Sequence, residues 1–398
     1  MNIALLTHSV RPRGGVIHTL ELAAALQRRG HSVTVIAAAE RGESLFRTTP
    51  FPVQVIRLPV LGGDLVQQVS QRINALVQGL PALLQAGGFD LLHAQDSLSG
   101  NALALLRAQG LPLPRWLRTV HHLDVFTQAI LNDWQEYAWR SADGVACVSD
   151  SWCAHFREHL GVTPERVFNG VDLDRYRIAA DAGDARLLRG LGLHDAGWPV
   201  CLLVGGVEER KNTVRLLQAF ARLREDDPAW TDARLVIAGG ASMLDHSAAR
   251  QAWQQTLDRL GLAEGLGQPV LRTGPLADEV LPALMRRADV LAMPSLVEGF
   301  GLVALEALAC GTPVLVSNRP PFTEHLRDTP GVAWCEPEDI ASIAAGLRAA
   351  ARMPRLTAPP PVSVAHSWER SAAVHEAWYR RALSTSYVGQ GNSLSLSH

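Results

Sequence analysis

The 398-residue sequence predicts an α/β protein built from two Rossmann-like, doubly wound parallel-sheet domains that face each other across a cleft. Three observations carry this. Short apolar runs alternate with helical patterns through the first half, the alternation starts afresh near residue 199, and a chain of this length exceeds what a single hydrophobic core usually serves.

In the first half, NIALLTH (2–8) reads as a strand, followed by a helix from His18 to Arg29 and the strand HSVTVIAA (31–38). PVQVIRLP (52–59), a helix over 66–86, FDLLHAQ (89–95), a helix from Leu98, RWLRTVHH (115–122), a helix over 128–140 and GVACVSD (144–150) follow. Apolar strands separated by helices imply a parallel sheet covered on both faces. In the second half the strands are PVCLLVGG (199–206), ARLVIAGG (233–240), PVLRTG (269–274), DVLAMPS (289–295), TPVLVSN (312–318) and a short run at 331–335. Between them lie helices at 214–224, 245–260, 278–287 and 302–310. The segment 172–198 reads as the linker, and the proline-rich TAPPPV (357–362) precedes a last helix at 367–383.

Composition bounds the function. Apolar residues make up 47% and charged residues 19%, which is a globular balance with ample core. A net charge of -2 with no block of like charge argues against nucleic acid as a partner and against a polybasic membrane anchor. The N-terminus has no basic region or cleavage site and reads as a strand rather than a secretory signal, and no apolar run approaches the ~18–20 residues of a membrane span. Five cysteines without a Cys-x-x-Cys pair suit small core positions in a reducing cytoplasm and offer no metal site. An amphipathic stretch at 65–86 has Arg72 as its one cation, so a core-facing helix is expected, with a weak peripheral contact at the inner membrane face as the other reading.

Ligands of paired doubly wound units bind at the carboxyl ends of the strands. After the first strand, Gly14 and Gly15 sit between the strand and the helix start, where free amides and the helix's positive end favour anions, although the pattern is not a G-x-G-x-x-G fingerprint. A plain tight turn is the bland alternative. His121 and His122 end the strand 115–120, and His121 directly continues it, placing an imidazole for proton transfer or hydroxyl binding. Gly205 and Gly206 end another strand ahead of Arg210 and Lys211, two cations able to neutralise phosphate. Of 37 cationic residues, all but Lys211 are arginine.

The run PSLVEGFGLVALEALACGTPV, from Pro294, holds two acids in an apolar setting. Glu306 sits on a helix apolar all round and has no polar face to escape to, whereas Glu298 lies in the loop before that helix. A surface glutamate or an internal ion pair is the alternative for Glu306. Eight residues apart, the two carboxylates hold separate parts of one long ligand, with the amides of Gly299, Phe300 and Gly301 and the helix's positive end between them for a diphosphate. A sugar, a diphosphate and a ribose diol in that order describe a nucleotide sugar.

With these residues in view, the sequence resembles a family 4 glycosyltransferase of GT-B fold. EGFGLVALE matches that family's Glu-x7-Glu motif, and GHSVTV, DLLHAQ, RTVHH, VFNGVDLDRY (167–176), LVIAGG and ADVLAMPS match elsewhere, over 1–382 in all. The resemblance implies an acceptor domain at 1–175, a donor domain at 176–366, a helix at 367–383 crossing back onto the first domain and a disordered tail at 384–398. It implies a hexosyltransferase using a nucleotide sugar, UDP-linked, with retention of anomeric configuration and no cofactor or metal. His121, Glu298 and Lys211 would be catalytic, and Gly15, Gly205, Gly206, Arg210, Gly274, Gly299, Phe300, Gly301, Leu302 and Glu306 would join Lys211 and Glu298 in binding the donor. Gly14, His18 and His122 would face the acceptor, a saccharide, lipid or small molecule. The sequence departs from the family at Gly205-Gly206, where many members carry Gly-Arg and the arginine grips the diphosphate, so Arg210 is expected to substitute. It also has His121-His122 where His-Asp or His-Glu is usual. A nucleotide-sugar epimerase of the same fold and a non-catalytic nucleotide-sugar-binding module are the rival readings.

Overall fold

The computed structural model describes residues 1–194, 197–240 and 246–384, so the tail expected to be disordered lies, beyond Ser384, outside the described residues. Among the described residues the first sheet has seven parallel strands: β1 (Asn2–Thr7), β2 (Ser32–Ala39), β3 (Val53–Arg57), β4 (Leu91–Ala94), β5 (Arg115–Val120), β6 (Gly144–Cys147) and β7 (Glu165–Arg166). The second has six: β8 (Val200–Val204), β9 (Arg234–Ala238), β10 (Val270–Gly274), β11 (Val290–Met293), β12 (Val314–Ser317) and β13 (Val332–Cys335). Strands such as β4, β11 and β12 are buried along their whole length, which is why they read as unbroken apolar runs and not as alternating ones.

Strand order locates the site. The first sheet runs β3-β2-β1-β4-β5-β6-β7 and the second β10-β9-β8-β11-β12-β13. Each reverses direction once, between β1 and β4 and between β8 and β11, and such a switch point opens a crevice at the strands' carboxyl ends. Gly14 and Gly15 follow the loop after β1, the loop after β8 carries Lys211, and the loop after β11 carries Glu298.

Two expectations need correcting. The first helix spans Gly14–Arg28 and starts four residues before His18, so Gly14 and Gly15 form its opening turn instead of a preceding loop. An opening turn tolerates glycine because its N–H groups have no intrahelical acceptor in any case. The linker 172–198 contains a helix, Asp184–Gly190, held to the second domain where Arg286 bridges Asp184 at 2.7 Å and Asp181 at 2.8 Å. The charges that read as linker are one half of this network. The helices Asp150–His159, Ile340–Ala351 and Pro361–Ala365 and the two-residue β7 also went unread.

The helix Leu65–Gly87 turns Ile73, Leu76, Leu80 and Leu84 onto the first sheet, the core-facing arrangement. No helix among the described residues is long and apolar enough to cross a membrane. All five cysteines are free and buried.

The last helix, Trp368–Ser384, returns to the first domain and packs on Gly14–Arg28. Tyr379 meets His93 at 2.6 Å, and Arg29 and Arg381 of the two elements pair with Glu376 and Glu165 at 2.7 and 2.6 Å. The domains also touch beside the crevice. Glu324 accepts from the free amides of Asp150 and Ser151 at 2.8 and 2.9 Å, so a second-domain carboxylate occupies the N-terminus of a first-domain helix. Arg47 of the first domain reaches Asp278 of the second at 3.0 Å.

Candidate active site

The loops after β8 and β11 are stitched together by hydrogen bonds. Arg210 accepts from the Leu296 N–H through its carbonyl at 2.8 Å, and the Asn212 amide donates to the Pro294 carbonyl at 3.0 Å. Asn212 holds a left-handed backbone (φ 60°) as the residue ahead of the helix Thr213–Asp226. This fixes Lys211, whose Nζ donates to Glu298 Oε2 at 2.7 Å, with both side chains largely buried. Arg210 lies farther off, 3.9 Å from Glu298 and 3.1 Å from Glu208. Burial alone would raise the Glu298 carboxyl, but Lys211 and Arg210 outweigh it and hold the group down to about 2. Glu298 is therefore an anion across the physiological range. Gly205 continues β8, donating to the Ala238 carbonyl at 2.8 Å, and Gly206 is buried behind it.

Gly299 donates its N–H to Glu298 Oε1 at 3.1 Å and lies against the first domain. A Cβ at Gly299 would stand 2.3 Å from the His121 carbonyl oxygen, so only glycine lets the loop after β11 approach this strand end. Gly301 ends the loop at φ 83° and precedes the helix Leu302–Ala309, whose first turn contains no acid. Phe300 turns inward, 2% exposed and stacked on His325 at 4.9 Å, which leaves its main chain and not its ring for a ligand. Leu302 opens the helix half-buried, and Gly274 closes β10 at the far side.

Glu306 is buried at 5% exposure, as its all-apolar helix implied. It is not without polar company. Arg175 is the main support of its charged form, with Tyr176 a smaller one. Arg175 is already engaged by Asp278 at 2.7 Å, and Arg47 by Asp278 and Glu21. Burial therefore wins, and the Glu306 carboxyl is pushed up to about 7. The matched stretch VFNGVDLDRY contains Arg175 and Tyr176, so the signal for these two residues was present, but spacing did not show that they reach Glu306 across 130 positions.

On the facing domain, His121 turns its ring toward Gly15, with a Cβ there placed 3.9 Å from Nε2. That Nε2 is buried and has no hydrogen-bond partner among the described residues. Burial first, then the Arg118 charge, holds the imidazole well below its ordinary value, so it is neutral. His122 leans on Asp124 at 3.4 Å. The acceptor role expected of His18 does not fit its place. At 0% exposure it sits beneath His121 (ring centroids 4.8 Å), bonded to Asn169 at 2.7 Å and edged by Trp368, and it backs the cleft histidine without lining the cleft. Gly14 points into open space. Trp152, which carries no local signal in the sequence, donates from Nε1 to the Glu298 carbonyl at 3.2 Å and ties the first domain to the loop after β11.

The structure thus gathers His121, Gly15, Gly299, Glu298, Lys211 and Arg210 into one crevice, with Glu306 at the other end of its helix. Two cations flank a charged carboxylate there, and a neutral histidine stands opposite.

Two family descriptions match this chain: "Glycosyltransferase Family 4" over residues 12–175 and "Glycosyl transferases group 1" over 192–358. A D-inositol 3-phosphate glycosyltransferase from Rhodococcus opacus is 32% identical over 327 residues, covering 77% of this chain and 70% of the relative. The chain spans about two thirds of the length of the curated relatives it matches. Among solved structures, a sucrose-phosphate synthase from Thermosynechococcus elongatus superposes with a TM-score of 0.77 at 24% identity, over 95% of this chain and 98% of that one. The Anabaena protein HepE, solved in complex with UDP and glucose, gives 0.70 at 20% identity, over 97% of this chain and 100% of that one. At such identities the structures bear on the fold alone, which is GT-B. Fold, site and kinship agree, and the chain belongs to glycosyltransferase family 4.

Proposed function

We propose that this glycosyltransferase moves a hexosyl group from a UDP-sugar to an acceptor hydroxyl with retention of anomeric configuration. The observation that carries the reading is the buried Lys211–Glu298 pair at the second switch point, directly opposite His121. In this scheme the bond from the anomeric carbon to the diphosphate oxygen breaks, and the diphosphate's charge is taken up by Lys211, Arg210 and the N-terminus of Leu302–Ala309. Glu298 then turns from lysine to the hydroxyls of the sugar. The acceptor oxygen attacks the same face and passes its proton to the departing phosphate. His121 offers an unpartnered nitrogen to a sugar or acceptor hydroxyl. Glu306 receives the ribose diol, and Gly274 lies along the base. Charge neutralisation falls to side chains, so the scheme calls on no metal or cofactor.

HepE complexes with UDP and with UDP-glucose support the choice of base, and the inositol 3-phosphate in the relatives' name places that compound on any acceptor panel. Free buried cysteines accord with action in the cytoplasm. A thermal-shift panel of nucleotides and nucleotide sugars tests the reading. UDP and one UDP-sugar should raise the unfolding temperature, and product analysis with donor alone should show slow hydrolysis and no epimer. A panel in which no nucleoside diphosphate shifts the transition would sink it.

A further inference from the structure

A second cavity adjoins the crevice at the carboxyl ends of β1 and β2, between the loop leading to Gly14 and the helix Leu65–Gly87. It has a volume of about 270 Å³ and is lined by Arg11, Arg13, Glu40, Leu65, Gln68, Val69 and Arg72. Three arginines thus share one small space with a single acid. Arg72 is paired with Glu40 at 2.6 Å, and Arg11 with Glu43 outside the lining. Arg13 is different. It is half-buried, and among the described residues its side chain has no hydrogen bond and no ion pair. After burial itself, the strongest influences on its charge are the repulsions of Arg11 and Arg72, with Glu208 across the crevice and Glu43 as weaker attractions.

A packed protein gains nothing from leaving a guanidinium part-buried and unbonded beside two like charges. Its five donors match a tetrahedral or planar oxyanion, and two neighbouring forks would complete the grip. The location is specific: Arg13 immediately precedes Gly14 and Gly15, and Gly15 faces His121. An anion held here would leave the body of its molecule directed toward that histidine.

We propose that Arg11, Arg13 and Arg72 anchor an anionic group of the acceptor, a phosphate monoester or a carboxylate, and thereby select acidic acceptors. This rests on the transferase reading, and the site is separate from the donor-binding residues.

The test is calorimetric titration of the full chain saturated with UDP. The probes are inorganic phosphate, glucose 6-phosphate, myo-inositol 3-phosphate and glucuronate, each sugar beside its neutral parent. An acidic probe should bind at least about tenfold more tightly than its parent, weaken with added salt and lose about tenfold in Arg13→Gln and in Arg72→Gln. Both variants should keep the wild-type unfolding transition and bind UDP within about twofold. Sedimentation with vesicles of phosphatidylcholine, with or without phosphatidylinositol, separates a lipid-borne phosphate from a free one. Arg13-dependent sedimentation confined to the phosphatidylinositol vesicles would assign the anchor to a headgroup. Equal binding of acidic and neutral probes, anion affinity unaltered in both variants, or no binding by any probe or vesicle would overturn the proposal. If wild type fails to bind UDP at all, the transferase reading falls; if UDP binds and the anions do not, only the anchor falls.

Discussion

Glu298 and Glu306 are the same residue type, eight positions apart in one apolar segment, and both are buried, yet their proton affinities move in opposite directions. Glu298 is held to about 2 and Glu306 is raised to about 7. The difference lies in what each faces. Glu298 has Lys211 at 2.7 Å, and among the described residues that lysine pairs with no other acid. The arginines near Glu306 are already committed, Arg175 to Asp278 and Arg47 to Asp278 and Glu21. Burial decides the sign of a shift only when no uncommitted counter-charge stands within a few ångströms. One carboxylate thereby stays charged among cations, and the other gains proton affinity.

The largest way to break the contrast is Lys211→Ala. It removes the main counter-charge of Glu298 and, on the proposed scheme, a neutraliser of the leaving diphosphate, and donor turnover should fall about 10²–10³-fold. Turnover within a few-fold of wild type would mean that the lysine serves only the carboxylate.

Gly299→Ala comes next. A new methyl 2.3 Å from the His121 carbonyl forces the loop after β11 off the first domain, and thermal unfolding should show a loss of about 1–3 kcal/mol. Gly14→Ala, with open space at the same test position, is the matched control and should not lower the transition.

Glu306→Ala should weaken nucleotide binding by about tenfold, the worth of one or two hydrogen bonds to the ribose. The same titration with Glu298→Ala should affect the sugar nucleotide more than the free nucleoside diphosphate. Equal losses for both ligands in both variants would erase the division of labour.

The smallest effect is a pH profile of stability. Glu306 has a folded value above its ordinary 4.5, so its contribution is fully present below 4.5 and is lost as pH rises to about 7. Glu298 has a depressed value, so its contribution is present above 4.5 and is lost as pH falls toward about 2. Glu306→Gln should flatten the upper slope and leave the lower one, by an amount of order 1 kcal/mol. Denaturant titrations at several pH values read this directly, and an unchanged upper slope would place the raised carboxyl elsewhere.

Legibility followed the range of the interaction. Strands of the second domain, the carboxylates and the only lysine were plain because parallel strands buried on both faces read as unbroken apolar runs, and an acid inside such a run stands out. Gly15 and His121 were legible as strand-end residues, although their proximity was not. Trp152, Asn212, Arg47 and Asp278 gave no local signal, since each acts on a partner between 82 and 231 residues away. His18 was misplaced because a polar residue early in a helix gives no indication of which way its ring faces. Here it faces a packed cluster with His121, Trp368 and His375.

What the sequence determined by itself was the alternation of strands and helices, the break between two such series, and the chemical types at the strand ends. These follow from local sterics, apolar periodicity and the scarcity of charge in buried runs. Only the tertiary structure decided which acid would be charged, which histidine would face the crevice, and that three arginines would share a cavity. Those outcomes depend on distances of a few ångströms between residues remote in sequence, where electrostatic energies change steeply and no periodicity records them.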